Sequence, residues 1–276
     1  MPHTRFHFGQ FALFFSLPLA LSAACLTLFG MPQVLLAQGI PERWESSEYE
    51  PPEDIGRPRR IKDAATRSLN GSCDNNDKPL TALLPQNQLG ITVAEYPTLF
   101  VYLPAFGTEA LSMPVEFVLE DIDGKEVYKA NFPTNGISGI VAFGLPSKAG
   151  LSPLQVGQDY HWRFTVICNE NDRSQDIFVG GVVRRVELES ELKERLMVVS
   201  PEEQVELYAE AGIWQDAVST LVQLRRDNPT DLQLAADWEK LLNAVELGDI
   251  AQEPIEPMPA TTLRDLNLPQ SQLPSE

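Results

Sequence analysis

The side chains able to do chemistry are few in this chain, and their types set the first limits. The 276 residues contain three histidines and three cysteines. His3, His7 and Cys25 fall within the first 37 residues, which leaves His161, Cys73 and Cys168 for the folded part. Two cysteines in an exported chain are most simply one disulfide, Cys73–Cys168, with two free buried thiols as the alternative. They stand 95 positions apart (168 − 73), and closing such a loop would restrict the unfolded chain by about 4–5 kcal/mol in the entropy account. Two thiols and one imidazole fall short of the four ligands of a structural zinc site and show no paired spacing. His161 has no acid or nucleophile at motif spacing. Ser138, in Gly136-Ile137-Ser138-Gly139-Ile140, lacks the strand–nucleophile–helix setting of a hydrolase.

Acidic residues are more plentiful but no better arranged. Glu120, Asp121 and Asp123 cluster at Asp123-Gly124, and Asp74 and Asp77 follow Cys73. Calcium prefers oxygen-rich loops, yet the spacing matches no calcium loop, and Asp-Gly is accounted for by a tight turn. Glu202, Glu203 and Glu206 open a helix, where acids favour the helix dipole, with no opposing carboxylate for acid–base work. No catalytic residue, metal site or cofactor is expected, and the chain reads as non-enzymatic.

The elements that must carry these residues begin after an export signal. Met1–Gln10 is polar with Arg5, Phe11–Phe29 is nearly all apolar, and Val34-Leu35-Leu36-Ala37 precedes Gln38 as a small-residue cleavage site. A signal peptide over 1–37 is the expectation. An uncleaved signal anchor and a lipid anchor at Cys25, after Ser22-Ala23-Ala24, are the alternatives. The net charge of −18 repels phosphate backbones and disfavours anionic membrane surfaces, so no nucleic acid is expected as a partner. Nor is a membrane span expected once the signal is removed. Residues 38–66, broken by Pro41, Pro51, Pro52 and Pro58, read as a disordered linker.

Residues 67–188 read as β-rich. Val115, Phe117 and Leu119 alternate with Glu116, Val118 and Glu120, and Glu126–Phe132 runs back after the turn. Leu99–Leu103 is apolar on both faces, as a central strand would be. In Asp159–Cys168, Tyr160, Trp162, Phe164, Val166 and Cys168 share one face, which puts the cysteine with the core aromatics and His161 on the outer face. Gly180-Gly181 marks a bulge in a last strand, Ile177–Val183. An antiparallel β-sandwich follows, immunoglobulin-like in the broad sense. The fold class is therefore α+β, because a helical pattern takes over after Leu188.

That helical unit spans 189–250. Ser200-Pro201-Glu202-Glu203 supplies an N-cap, an N1 proline and a capping-box glutamate, and Gly212 ends the helix. Trp214, Ala217, Val218, Leu221 and Leu224 form the stripe of the next helix. Leu234, Trp238, Leu241, Leu242 and Val245 form that of another, closed by Gly248. Tyr208, Gly212, Trp214, Ala217, Leu221, Leu224 and Pro229 keep the spacing of a tetratricopeptide repeat. One copy makes a repeat-like hairpin of three to four helices and no solenoid. Tyr208, Trp214 and Trp238 are its candidate packing or interaction patch, with burial of both tryptophans against the sandwich favoured over an exposed docking face. Residues 251–276, with five prolines from Pro254 to Pro274, read as a disordered tail.

In order along the chain, these blocks resemble a cyanobacterial exported family, the domain of unknown function 928. The resemblance is carried by Asn70-Gly71-Ser72-Cys73, Leu80-Thr81-Ala82-Leu83-Leu84-Pro85 and Tyr96-Pro97-Thr98-Leu99-Phe100-Val101-Tyr102-Leu103-Pro104. It continues through Val115–Leu119, Tyr160–Phe164 with Cys168, and Tyr208–Ala217. It implies one recurring unit of β part and helical part and implies no activity. The functional expectation is an exported cell-envelope or periplasmic module with a structural or interaction role and a protein partner. The alternative is a glycan-binding or carboxylate-based glycan-hydrolysing sandwich.

Overall fold

The computed structural model describes Cys73 and residues 78–106, 112–148 and 150–257. The expected signal peptide, Cys25, the linker over 38–66, Asp74, Asp77 and the chain after Pro257 lie outside the described residues. Among the described residues nine strands form two sheets. The first holds β1 (Thr81–Ala82), β3 (Thr98–Leu103), β6 (Gly139–Gly144) and β9 (Ile255–Pro257), in that order. The second holds β2 (Leu89–Thr92), β8 (Ile177–Arg185), β7 (Asp159–Val166), β4 (Pro114–Glu120) and β5 (Glu126–Pro133), in that order. Four helices follow: α1 (Ser190–Leu196), α2 (Pro201–Glu210), α3 (Trp214–Asp227) and α4 (Leu232–Asn243).

The alternating apolar residues of β4, β5 and β7 make the inner face of the second sheet. Phe143 reaches it from β6, with ring centroids 4.3 Å from Phe117 and 5.5 Å from Phe132. Phe132 in turn meets Phe164 edge-on at 6.0 Å, a geometry that adds to simple area burial. The two sheets are thus joined by one aromatic stack. The β4–β5 hairpin closes on Asp121, whose Oδ1 accepts from the amides of Asp123 and Lys125 at 3.0 Å each. Gly124 there takes a positive φ of 79°. The carboxylate considered for calcium therefore serves the turn. Among the described residues no group of three or more metal-ligating side chains converges.

The sandwich is antiparallel inside and mixed at two edges. β2 joins β8 in parallel, and β9 joins β6 in parallel. Parallel partners need distant segments, and β2 is covered on its open side by α3, which protects an otherwise sticky edge. Leu89, Ile91, Val182 and Ile213 form a second cluster against the helical unit, with Tyr208 and Leu192 packed on it. The main cluster runs without a break from the sandwich aromatics to Trp214, Leu221 and Trp238. Sheets and helices share one core.

The Ser200 capping box forms as its residues require, with Glu203 reaching back to the Ser200 amide. α2 then ends at Gly212, φ 70°, where Ile213 N donates to Tyr208 O and Gly212 N to Ala209 O. These two bonds make a Schellman motif. α4 ends in the same motif, with Leu247 N donating to Leu242 O and Glu246 N to Asn243 O. Here Glu246, φ 61°, occupies the position that glycine normally fills.

Three expectations need correction. Gly180-Gly181 makes no bulge: β7 and β8 pair in unbroken register through both residues, and the irregularity lies at Leu119/Glu120. The glycines are there because neighbours come too close. A β-carbon on Gly180 would stand 2.3 Å from Trp162 O, and one on Gly181 2.1 Å from Leu84 Cδ1. Gly248 does not end α4, which stops earlier; a side chain at 248 would strike Asn243 Oδ1 at 1.8 Å. The stretch 251–257 is no disordered tail. It carries Ala251 under Trp238 and then strand β9, an edge position that tolerates Pro257. Lys78 latches this stretch to the start of the sheet by pairing with Glu253 and donating to Asp249 O at 2.7 Å. Both tryptophans lie in the core shared with the sandwich; Trp238 Nε1 donates to Ala251 O at 3.1 Å, and Trp214 makes the hydrogen bond to Leu83 O.

Candidate functional site

The segment between β1 and β2 is Leu83-Leu84-Pro85-Gln86-Asn87-Gln88. Gln88 N donates to Pro85 O at 2.8 Å, closing a turn that throws Gln88 into the left-handed region, φ 60°. Asn87 Oδ1 accepts from Leu89 N at 3.1 Å. The turn and strand β1 form one wall of a cleft of about 230 Å³. Val179 and Gly180 of β8 and Val245, Glu246 and Leu247 after α4 complete its lining. Both sheets and the helical unit contribute to it. Gln88 and Glu246 are two of three non-glycine residues with positive φ among the described residues, the third being Asn135 in the β5–β6 turn. Such a conformation costs a side-chain-bearing residue about 1–2 kcal/mol, and strained backbone concentrates at binding and catalytic sites.

Buried polar atoms lie beside this cleft without hydrogen-bond partners. Asn87 Nδ2, Trp162 Nε1 and both amide atoms of Gln215 are of this kind. Leu84, a lining residue, lies near two of them. Its Cδ1 would lie 2.1 Å from a β-carbon on Gly181, and Trp162 Nε1 3.6 Å from the same point. Its Cδ2 would lie 3.0 Å from a β-carbon on Gly90, and Gln215 Nε2 2.5 Å from that point. A buried polar group without a partner costs about 1–3 kcal/mol, so its presence calls for an explanation. The remaining side chains with such atoms are Arg225 and Arg226 on α3, where the Arg225 guanidinium lies 5.5 Å above the Trp238 ring.

The residues singled out from sequence fall elsewhere. Cys73 and Cys168 form a disulfide with Cα atoms 5.4 Å apart; it ties the chain before β1 to the end of β7. Trp214 and Trp238 are both 0% exposed, so neither presents a docking face. Trp214 Nε1 donates to Leu83 O at 2.9 Å, beside the cleft turn. Tyr208 is half-buried between the two clusters. His161 is half-buried on β7, opposite Glu120 and Val182. None of these lines the cleft. Its polar groups, Thr81, Gln86, Gln88 and Glu246, were not singled out. The one sequence signal for them is the amide run Gln86-Asn87-Gln88 directly after a proline.

Two carboxyls near the helical unit are held away from their ordinary range. Burial pushes Asp216, in the first turn of α3, up to about 6 against an ordinary 3.8, although Thr92 and the Val93 amide at 3.1 Å hydrogen-bond to it. Partial burial, with Asp237, Glu210 and Glu203 nearby, pushes Glu206 up to about 7 from an ordinary 4.5. A raised carboxyl pKa means the folded state keeps a proton that the unfolded state has released. The Asp216 contribution to stability is therefore full below about 4 and is lost as pH climbs towards 6; that of Glu206 is lost from about 4.5 to 7. The chain is expected to melt at a higher temperature at pH 5 than at pH 7.5. Asp216→Asn, which keeps an acceptor for Val93, is expected to raise the midpoint at pH 7.5 and flatten the profile. An unchanged profile in melts from pH 5 to 8 would show that Asp216 is not the titrating group.

Comparison with known proteins adds one match. Residues 62–255 fit the model of a family described as Domain of Unknown Function (DUF928). No curated protein matches the chain.

Proposed function

The chain belongs to the DUF928 family, and from that footing we propose that it is an exported, non-enzymatic module of the cell envelope or periplasm that works by binding. The observation that carries this reading is the cleft between β1, β8 and the α4 turn. It gathers hydrogen-bonding side chains and two strained backbone positions at a junction packed on the shared core, and one residue along from its lining amides Asn87 Nδ2 is buried without a hydrogen-bond partner. Concave sites with a few convergent polar groups are where a binding site is first looked for. The compartment is supported by the Cys73–Cys168 bond, since such bonds persist in oxidising surroundings, and by the apolar leader of the sequence. Among the described residues no helix is long and apolar enough to cross a membrane.

A second reading, docking of a protein partner on the helical unit, has Met197 and Val198 in its favour. They are adjacent, apolar and 72% and 83% exposed, between α1 and α2. Thiol alkylation before lysis, followed by fractionation, tests the compartment. Both cysteines are expected to resist alkylation until reduced, in protein recovered from the exported fraction. Cytoplasmic protein with two reactive thiols would overturn the assignment.

A further inference from the structure

We propose that the cleft bounded by β1, β8 and the α4 turn binds one neutral sugar unit of a glycan; this rests on the binding-module reading above and names its ligand. The polar groups facing the cleft are of the kinds that hydroxyls satisfy. Gln86 and Gln88 carry planar amides that both donate and accept, Thr81 adds a hydroxyl oxygen able to accept while donating to Pro79 O at 2.8 Å, and Glu246 adds a carboxylate acceptor. Adjacent hydroxyls on a sugar ring can donate to such a carboxylate and accept from such amides at once. Half-buried Leu247 supplies a small apolar patch for the C–H face of a ring, backed by buried Val179 and Val245.

Charge and size narrow the class further. No lysine or arginine lines the cleft, its one charge is negative, and the chain as a whole carries −18. Uronates, sulfated sugars and phosphates are therefore disfavoured. The volume of about 230 Å³ lies below the range of about 300–1,000 Å³ for drug-sized ligands, which suits one ring rather than a folded chain. An extended peptide is the rival, and β1 is poorly made for it. Strand addition needs a run of free backbone groups along an edge, whereas β1 has only two residues and Ala82 O already accepts from Leu84 N at 2.9 Å.

The backbone adds a feature with a distinctive consequence. Gln88 and Glu246 both line the cleft, and each holds a positive φ that glycine would adopt without cost. Each side chain is kept in place against the local preference of its backbone. Glycine substitution at either position therefore relieves strain while removing a ligand contact. Stability and binding should move in opposite directions, which a purely structural role does not produce.

The test is titration of the disulfide-intact chain with glucose, N-acetylglucosamine and their short oligomers, and in parallel with glucuronate and an uncharged dipeptide amide. The readouts are calorimetry and the Trp162 indole N–H resonance, assigned with Trp162→Phe. A neutral sugar is expected to bind and to shift that resonance. Glu246→Gly and Gln88→Gly are each expected to weaken binding about tenfold, the effect of losing one strong hydrogen bond, with an equal or higher melting temperature. Sugar binding that both variants leave intact would overturn the site, and glucuronate binding as well as glucose would overturn neutrality. Binding of the dipeptide amide alone would overturn the sugar while leaving the binding-module reading in place. If no ligand binds, both fall.

Discussion

Trp214→Ala is expected to destabilise the whole folded unit by about 3–5 kcal/mol, the range for emptying a buried tryptophan site. Trp214 opens α3, is 0% exposed and donates to Leu83 O at 2.9 Å. It therefore sits where the helical unit meets the β1–β2 connection, inside the cluster that runs from the sandwich aromatics to α4. Removing the ring leaves a cavity and strands the Leu83 carbonyl, so two costs add. Because the core is shared, the loss should not stay in the helices. Denaturant unfolding followed at once by far-ultraviolet dichroism, dominated by helix, and by the near-ultraviolet signal of the sandwich aromatics gives the check. Both curves are expected to move together to lower denaturant. A helical transition that moves alone, leaving the aromatic signal in place, would mean two independent units.

How much of this could be read from the chain depends on the range of the forces involved. Strand β7 is legible because Tyr160, Trp162, Phe164 and Val166 repeat at the period that a half-buried strand demands, and these four are all buried. The α2 cap is legible because Ser200, Pro201 and Glu203 act on one another within one turn. Strand β2 is not legible. Its four residues, Leu89-Gly90-Ile91-Thr92, are held by a parallel partner some ninety positions away and by α3 on the other side, and no local period announces either. β9 hides for a similar reason: prolines at 254 and 257 read as breakers, yet an edge strand with one paired side accepts them. Gly180-Gly181 advertises that something unusual happens there but not which event. The close approach of Leu84 and the Trp162 carbonyl is a tertiary fact. The cleft is the extreme case, since its walls come from 81–88, 179–180 and 245–247. Its amides look like any surface loop until the fold brings them together.

Breaking the Asp159–Arg184 pair is expected to have an effect as large as emptying the Trp214 site, by a different mechanism. The two residues face each other across β7 and β8, 5% and 9% exposed. Arg184 Nε donates to Asp159 Oδ1 at 2.5 Å and Nη2 to Oδ2 at 3.0 Å, a two-point contact. Such a pair gains its attraction only after both charges have lost their water, so its net worth is small while the cost of separating it is large. Asp159→Ala removes the carboxylate that both Nε and Nη2 of this buried cation donate to, and the expected loss is about 3–5 kcal/mol. Replacing both residues, as in Asp159→Leu with Arg184→Met, removes the charges together and is expected to recover most of that loss. The double-mutant cycle in urea therefore separates charge from shape. If the double variant is as unstable as Asp159→Ala, the penalty comes from lost volume or geometry, and the buried charge is not its cause.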